Sequence, residues 1–408
     1  MICRFCGKQI SNTFIDLGST AVSNAFLTAE QLLDPEKIFP LKVLVCDNCF
    51  LVQVDELRKR DEIFTDDYVY FSSVSSSWIN HSKDYVDKIT ERINLNHGSQ
   101  VIEIASNDGY LLQFFKQKNI PCLGIEPTNS TAEIAISKGI ETITEFFDEN
   151  LAMTLESEDR KADLIIGNNV LAHVPGLNSF VRGLKIALKF DGVITLEFPH
   201  LIKLIENNEF DTIYHEHFSY FSFFVIKRLF EFHGFEIFDV EELATHGGSL
   251  RVYAKHRGDA SKPVSSGVDS LYNRELELGI DQLGYYQGFQ EKAQQIKNQF
   301  LSFILKEKEQ NKTIAAFGAA AKGNTFLNFC GIKGDLIDFV VDDTPFKQGK
   351  YLPQSHIPVV TQDYLKQQKP DIIVILPWNF KTEIIEKLEY TKEWGAKLIT
   401  YIPELQIH

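Results

Sequence analysis

Val101-Ile-Glu-Ile-Ala-Ser-Asn-Asp-Gly109 is the stretch that decides the fold. A short apolar strand runs into a turn of small and polar residues ending on glycine. Tyr110 to Lys118 then continues with helical spacing. Strand, small-residue turn and helix in that order present backbone N–H groups at a helix start, where a nucleotide-like ligand can approach closely. Pro121 to Glu126 reads as a second strand, and Glu126 stands 23 residues after Glu103. An acid at that place accepts hydrogen bonds from ribose hydroxyls. The loop departs from the commoner glycine-rich form: Ala105 and Asn107 stand where glycines are usual, and Gly109 remains.

Working outward, Ala162 to Gly167 and Gly192 to Glu197 are further apolar strands, and Phe235–Val240 with Ser249–Ala254 reads as a closing pair. Strands alternating with helices predict a parallel sheet covered on both faces. Residues 259–269 are rich in Gly, Ser, Pro and Asp and read as a linker. One long helical stretch is expected from Val268 to Lys308. A second α/β unit starts at Thr313 to Gly318, with strands at Ile337–Asp342, Asp371–Leu376 and Lys397–Tyr401. The expected division is 1–62, 63–258 and 259–408, each unit with its own core.

Residues 1–62 are turn-rich and bracketed by Cys3-x2-Cys6 and Cys46-x2-Cys49. Two such pairs on tight turns supply four thiolates, the donor set of a closed, structural Zn²⁺ site. The 39 residues between the pairs exceed the spacing of a compact ribbon. A redox dithiol is the rival reading, but nothing around the pairs resembles a thioredoxin. Cys122 and Cys330 stand alone in apolar runs and read as buried small residues.

The formal net charge of −15 argues against a nucleic-acid partner. No apolar run approaches the ~20 residues of a membrane span, and Met1-Ile-Cys-Arg4 lacks the features of a signal peptide. The reading is a cytoplasmic protein without a membrane partner. No coiled-coil seam is evident, and a monomer is expected.

Polar chemistry concentrates in Tyr214-His-Glu-His217, after Glu197-Phe-Pro-His200 at the end of a core strand. Ligands of open α/β sheets bind at such strand ends. Histidine is the natural base near neutral pH, and tyrosine can donate to a developing oxyanion. Three plainer readings compete: His215 and His217 with Glu216 as metal ligands, a polar helix start without chemistry, and His173 as a core histidine. Ala315-Ala-Phe-Gly-Ala-Ala-Ala-Lys322-Gly-Asn324 has the small residues and charge of a phosphate cradle, although a close helix–strand contact would need them too. It is not a P-loop. His246-Gly-Gly-Ser-Leu-Arg251 serves either substrate contact or a turn before a strand.

Asp163-Leu-Ile-Ile-Gly-Asn-Asn-Val-Leu-Ala-His173 resembles the stretch of class I methyltransferases that flanks the adenine and sulfonium of S-adenosylmethionine (SAM). With the cysteine pairs, Tyr68-Val-Tyr-Phe-Ser-Ser73, Glu103 to Gly109, Asn168 to His173, Tyr214 to His217, His246 to Arg251 and Phe317 to Asn324, the whole chain resembles the nucleotide-sugar C-methyltransferases. These act at C3 of 4-keto-deoxysugars. The resemblance implies an α/β protein: a class I SAM methyltransferase Rossmann-like domain, an N-terminal zinc-binding module and a C-terminal Rossmann-like domain that holds the nucleotide-sugar. It implies His217 as general base, with Tyr214, Glu216, His173 and Tyr68 at the active site; Tyr70 rivals Tyr68 and is otherwise a substrate contact. SAM would be held by Glu103, Ala105, Ser106, Asn107, Asp108, Gly109, Glu126, Pro127, Asn168, Asn169 and His173. The substrate would meet His246, Ser249, Arg251, Gly318, Lys322 and Asn324. Glu216 would orient the His217 imidazole. The rival functions are an O- or N-methyltransferase, and an NAD-dependent sugar-nucleotide oxidoreductase or epimerase.

Overall fold

A computed structural model describes residues 1–57 and 71–408. Tyr68 and Tyr70 lie outside the described residues. Strands are numbered in chain order and form three sheets among the described residues. The first is antiparallel, in the order β1 (Asn12–Thr20), β2 (Phe39–Val45), β3 (Val52–Val54), β9 (Ser219–Tyr220). Its last strand therefore comes from far along the chain, directly after Tyr214 to His217.

The second sheet holds β4 (Val101–Ile104), β5 (Cys122–Ile125), β6 (Glu141–Ile143), β7 (Ala162–Asn168), β8 (Leu188–Pro199), β10 (Phe235–Leu243) and β11 (Ser249–His256). Its order is β10-β11-β8-β7-β4-β5-β6. The five strands from β6 to β8 are parallel; β11 and β10 close the edge antiparallel. Successive residues of each strand face opposite sides, so Ile102, Ile165 and Ile194 enter one core while Val101, Leu164 and Val193 enter another. Both faces are packed, as a parallel sheet requires. The chain reverses its winding between β4 and β7, which opens a crevice at their C-terminal ends.

The third sheet holds β12 (Ile314–Phe317), β13 (Phe339–Val341), β14 (Val359–Val360), β15 (Ile372–Ile375), β16 (Lys397–Thr400) and β17 (Gln406–Ile407), ordered β14-β13-β12-β15-β16-β17. All pairs but the last are parallel.

One expectation needs correction. The stretch from Val268 to Lys308 is two helices, Ser266–Glu277 and Phe289–Glu309, broken where Gly279 and Gly288 take positive φ. One apolar cluster runs from Ile15 and Val43 through Ile102 and Phe198 to Phe326 and Ile399, linking all three sheets, while the central and C-terminal sheets each keep a further cluster of their own. Cys330 is buried as expected, while Cys122 is half-buried.

Candidate active site

A cavity of about 340 Å³ opens at the C-terminal ends of β4, β5 and β7, and all three parts of the chain contribute to its wall. One side is built almost wholly from β4–β7 and their loops. There Ala105 and Asn107 adopt φ of 57° and 48°, the left-handed region usually left to glycine. The departure from a glycine-rich loop is thus a change of residue and not of turn. Hydrogen bonds hold the strained backbone: Ala105 N–H donates to the Ile125 carbonyl at 2.7 Å, and Asn107 N–H donates to Glu126 Oε2 at 2.9 Å. Gly109 has φ of 73°, a conformation that favours glycine, and a Cβ there would lie 2.4 Å from Ile140 Cδ1.

Glu126 lines the cavity and also accepts from Thr128 N–H at 2.9 Å. Burial pushes its carboxyl up, and these N–H donors oppose that. Pro127, Asn168 and Asn169 line the same wall. Neither side-chain polar atom of Asn168 has a partner, nor does Asn169 Oδ1, although all are buried. Buried amides left unpaired are costly, so this wall fits a polar ligand that completes them, as SAM would.

Glu103, Ser106, Asp108 and Gly109 lie behind the cavity wall. Glu103 is fully buried, and burial raises its carboxyl well above the ordinary range. Ser106 packs where a Cβ on Gly124 would fall, and Asp108 accepts from Ser73 and faces Lys138. They shape the loop from beneath. Trp78, which the sequence reading missed, lines the wall between Tyr110 and His246, at 6.0 and 5.2 Å between ring centroids. Phe146 and Phe147 after β6 were missed too. Their signal was positional: an aromatic pair just past the end of the third parallel strand.

The opposite side gathers residues from distant segments. His217, Tyr214, Glu216 and His173 all line it. His217 Nδ1 donates to the Thr212 carbonyl at 2.9 Å, and His173 Nδ1 donates to the Glu216 carbonyl at 2.7 Å. Both rings are thereby fixed with Nε2 as the acceptor nitrogen. Burial drives both imidazoles toward the neutral form, His173 to about 4 and His217 well below its ordinary value. Their centroids are 4.7 Å apart, and the Tyr214 ring lies 4.0 Å from that of His217.

The expected partnership of Glu216 with the His217 ring is not found, because the Thr212 carbonyl already occupies Nδ1. The Glu216 carboxyl, 1% exposed, instead accepts from Asn24 Nδ2 at 2.7 Å. Burial raises it to about 7. The metal-ligand reading of this cluster also fails: His215 turns away to the Pro40 carbonyl at 3.2 Å. Among the described residues the one group suited to a metal is Cys3, Cys6, Cys46 and Cys49, whose sulfurs all lie within 4.8 Å of one another. Such a cluster fits a zinc ion with a closed shell.

The remaining substrate candidates divide. His246 lines the cavity with φ of 55° and bonds Asn169 Nδ2 at 3.0 Å. Ser249 and Arg251 do not line it. Ser249 donates to the Thr245 carbonyl, and Arg251 is buried against Glu197 and His81. Burial opposes ionisation of Glu197, but His81 and Arg251 outweigh it and hold the carboxyl at about 2. This network supports β8 and β11 beneath the site. His200, at the end of β8, is engaged with Glu275 at 2.6 Å.

From the C-terminal unit, Lys322 lines the cavity, donates to Asn379 Oδ1 at 2.7 Å and sits 4.5 Å over the Trp378 ring. Burial pushes its ammonium down, while Asp211 and Glu209 hold it up. Lys347, a second cation the sequence reading missed, lines the cavity and donates to the Ala319 carbonyl at 2.9 Å. Gly318 and Asn324 do not reach the cavity. A Cβ on Gly318 would lie 2.4 Å from Pro377 Cγ, and Asn324 donates to the Ser23 carbonyl at 2.6 Å.

Comparison with known proteins shows the family. Three family models match in succession: a putative zinc-binding domain over residues 3–64, a methyltransferase domain over 78–240, and a C-methyltransferase C-terminal domain over 244–403. The C-methyltransferase NovU of Streptomyces niveus is 34% identical over 405 residues, 99% of this chain and 96% of its own. Among solved structures, a SAM-dependent methyltransferase from Anabaena variabilis is 20% identical and covers 43% of this chain and 84% of its own, at TM-score 0.35. Magnesium protoporphyrin IX methyltransferase from Synechocystis, solved with SAM, is 18% identical over 44% of this chain and 81% of its own, at TM-score 0.33. With a NovU-like relative along its whole length, a four-cysteine N-terminal module and an α/β methyltransferase core, the chain belongs to the SAM-dependent C-methyltransferases.

Proposed function

We propose that this enzyme methylates C3 of a nucleoside-diphosphate 4-keto-deoxysugar through an enolate, with His217 as the base. A ketone at C4 acidifies the C3 proton, and a base within reach removes it. The observation that supports this most is the Thr212 bond to His217 Nδ1, which leaves Nε2 as the proton acceptor in a buried, neutral ring on the cavity wall. Tyr214 and His173, on the same wall, are the groups beside the developing enolate oxygen. Glu216 offers its second carboxyl oxygen to a sugar hydroxyl and so orients C3 toward the base. Bound SAM, held by Glu126, Asn168 and Asn169, supplies an electrophilic methyl group to the carbon nucleophile. Lys322 and Lys347, beside the start of the helix Ala321–Cys330, suit a diphosphate, and in this reading the C-terminal unit from residue 259 onward carries the nucleotide. Zinc is structural in this reading.

The test mixes the protein with SAM and a panel of TDP- and GDP-4-keto-6-deoxysugars, with 4-hydroxy sugars as controls, and follows mass. A gain of one methyl on keto sugars alone is expected. Methylation of the hydroxy controls would instead make this an O-methyltransferase.

A further inference from the structure

Asn24 belongs to the N-terminal zinc module, yet its side chain reaches the methyl-transfer cavity. It follows β1, and neighbouring contacts fix it there. Ser23, fully buried, meets Thr325 Oγ1 at 3.2 Å, and its carbonyl accepts from Asn324 Nδ2. Thr325 in turn donates to the Ile213 carbonyl at 3.0 Å, one residue before Tyr214. The segment carrying Asn24 is thus clamped between the C-terminal unit and the catalytic segment. Its amide Nδ2 ends 2.7 Å from Glu216 Oε2, whereas Glu216 Oε1 is buried without a partner.

From this geometry we infer that Asn24 is a positioning residue: it saturates one oxygen of Glu216 and leaves the other for the methyl acceptor. The inference rests on the reading of Glu216 as an acceptor-facing group. An N–H donor favours the ionised carboxylate, which is the stronger acceptor for a hydroxyl. It therefore offsets part of the upward shift that burial imposes on Glu216. The other ionisable side chains lining the cavity are His173, Tyr214, His217 and His246, with Tyr110, Glu126, Lys322 and Lys347.

The test is the pH profile of kcat/KM for wild type, Asn24→Ala, Asn24→Asp and Glu216→Gln, each with zinc content and SAM affinity measured. Glu216→Gln should remove the acidic limb near pH 7 and leave only the lower limb set by protonation of His217. Asn24→Ala should keep zinc and SAM binding, lower kcat/KM at pH 7 by about tenfold, and move the acidic limb up by about one pH unit. Asn24→Asp, which sets a second carboxyl against the first, should move it further. A wild-type limb in both Asn24 variants, with the limb absent from Glu216→Gln, overturns the inference alone. A limb near pH 7 that survives Glu216→Gln overturns the reading of Glu216 and the inference with it.

Discussion

The two halves of the cavity are built in different ways. The cofactor half is local: Asn107 and Glu126 bond across 19 residues, and Ser72 and Asn107 across 35. The acceptor half is long-range: Asn24 meets Glu216 across 192 residues, Asn324 meets Ser23 across 301, and Trp378 meets Asp211 across 167. The run of chain from β4 to β7 forms nearly all of the first half. The second exists only when zinc module, central sheet and C-terminal unit are docked together. Cofactor binding and methyl transfer should therefore separate under perturbation.

The largest break in that comparison is expected at zinc. Gln53 Nε2 lies 3.2 Å from Cys3 Sγ, Gln53 pairs with Ser219 in the sheet, and Arg4 donates to the Phe218 carbonyl at 3.0 Å. The four cysteines thus lie beneath the end of the Tyr214–Phe218 segment. Chelation or Cys46→Ser should lower the melting temperature by roughly 10 °C or more. In partly depleted samples, methyl transfer should fall further than SAM binding. Equal losses would mean that the halves are not separable.

Next in size is Glu126→Ala, which removes a cavity carboxylate from the cofactor half alone. SAM affinity should fall about ten- to hundredfold by calorimetry, with kcat at saturating SAM changed little. Lys322→Met should act in the other half, raising KM for the sugar nucleotide about tenfold and leaving SAM affinity intact.

The smallest effect sharpens the cost of the acceptor half. Glu216 titrates at about 7 in the fold, against 4.5 for an ordinary glutamate. Between those values the folded state binds the extra proton. Stability therefore falls as pH rises through that window and stays reduced above it. Glu216→Gln removes the penalty, so its melting temperature should exceed that of wild type by roughly 1–3 °C at pH 8. The difference should vanish near pH 4.

The same contrast explains what the sequence made legible. The order of strands, the turn after β4, Glu126 and the four cysteines follow from periodicity and spacing, which are local. The αL conformation of Ala105 was hidden, because alanine rarely adopts it, whereas Asn107 is of the type that adopts it most readily after glycine. Tyr214, Glu216 and His217 stood out by composition, but their partners did not. Thr212 acts through a backbone carbonyl, which no side chain announces. Asn24 lies in a turn of an otherwise separate-looking module. Asn324 and Arg251 read as ligand contacts because a buried polar side chain engaged with its own protein has the same signature in sequence. The Glu216–His217 pairing failed because both side chains are engaged elsewhere: the Thr212 carbonyl holds His217 Nδ1, and Asn24 holds Glu216 Oε2.

The most direct test of the account follows the C3 proton itself. Wild type and His217→Asn would be incubated in D2O with a 4-keto-6-deoxysugar nucleotide and S-adenosylhomocysteine, and deuterium at C3 read by NMR. The account predicts one deuterium incorporated by wild type and none by His217→Asn, with equal affinity of the two proteins for SAM. Exchange at the wild-type rate in His217→Asn would contradict it.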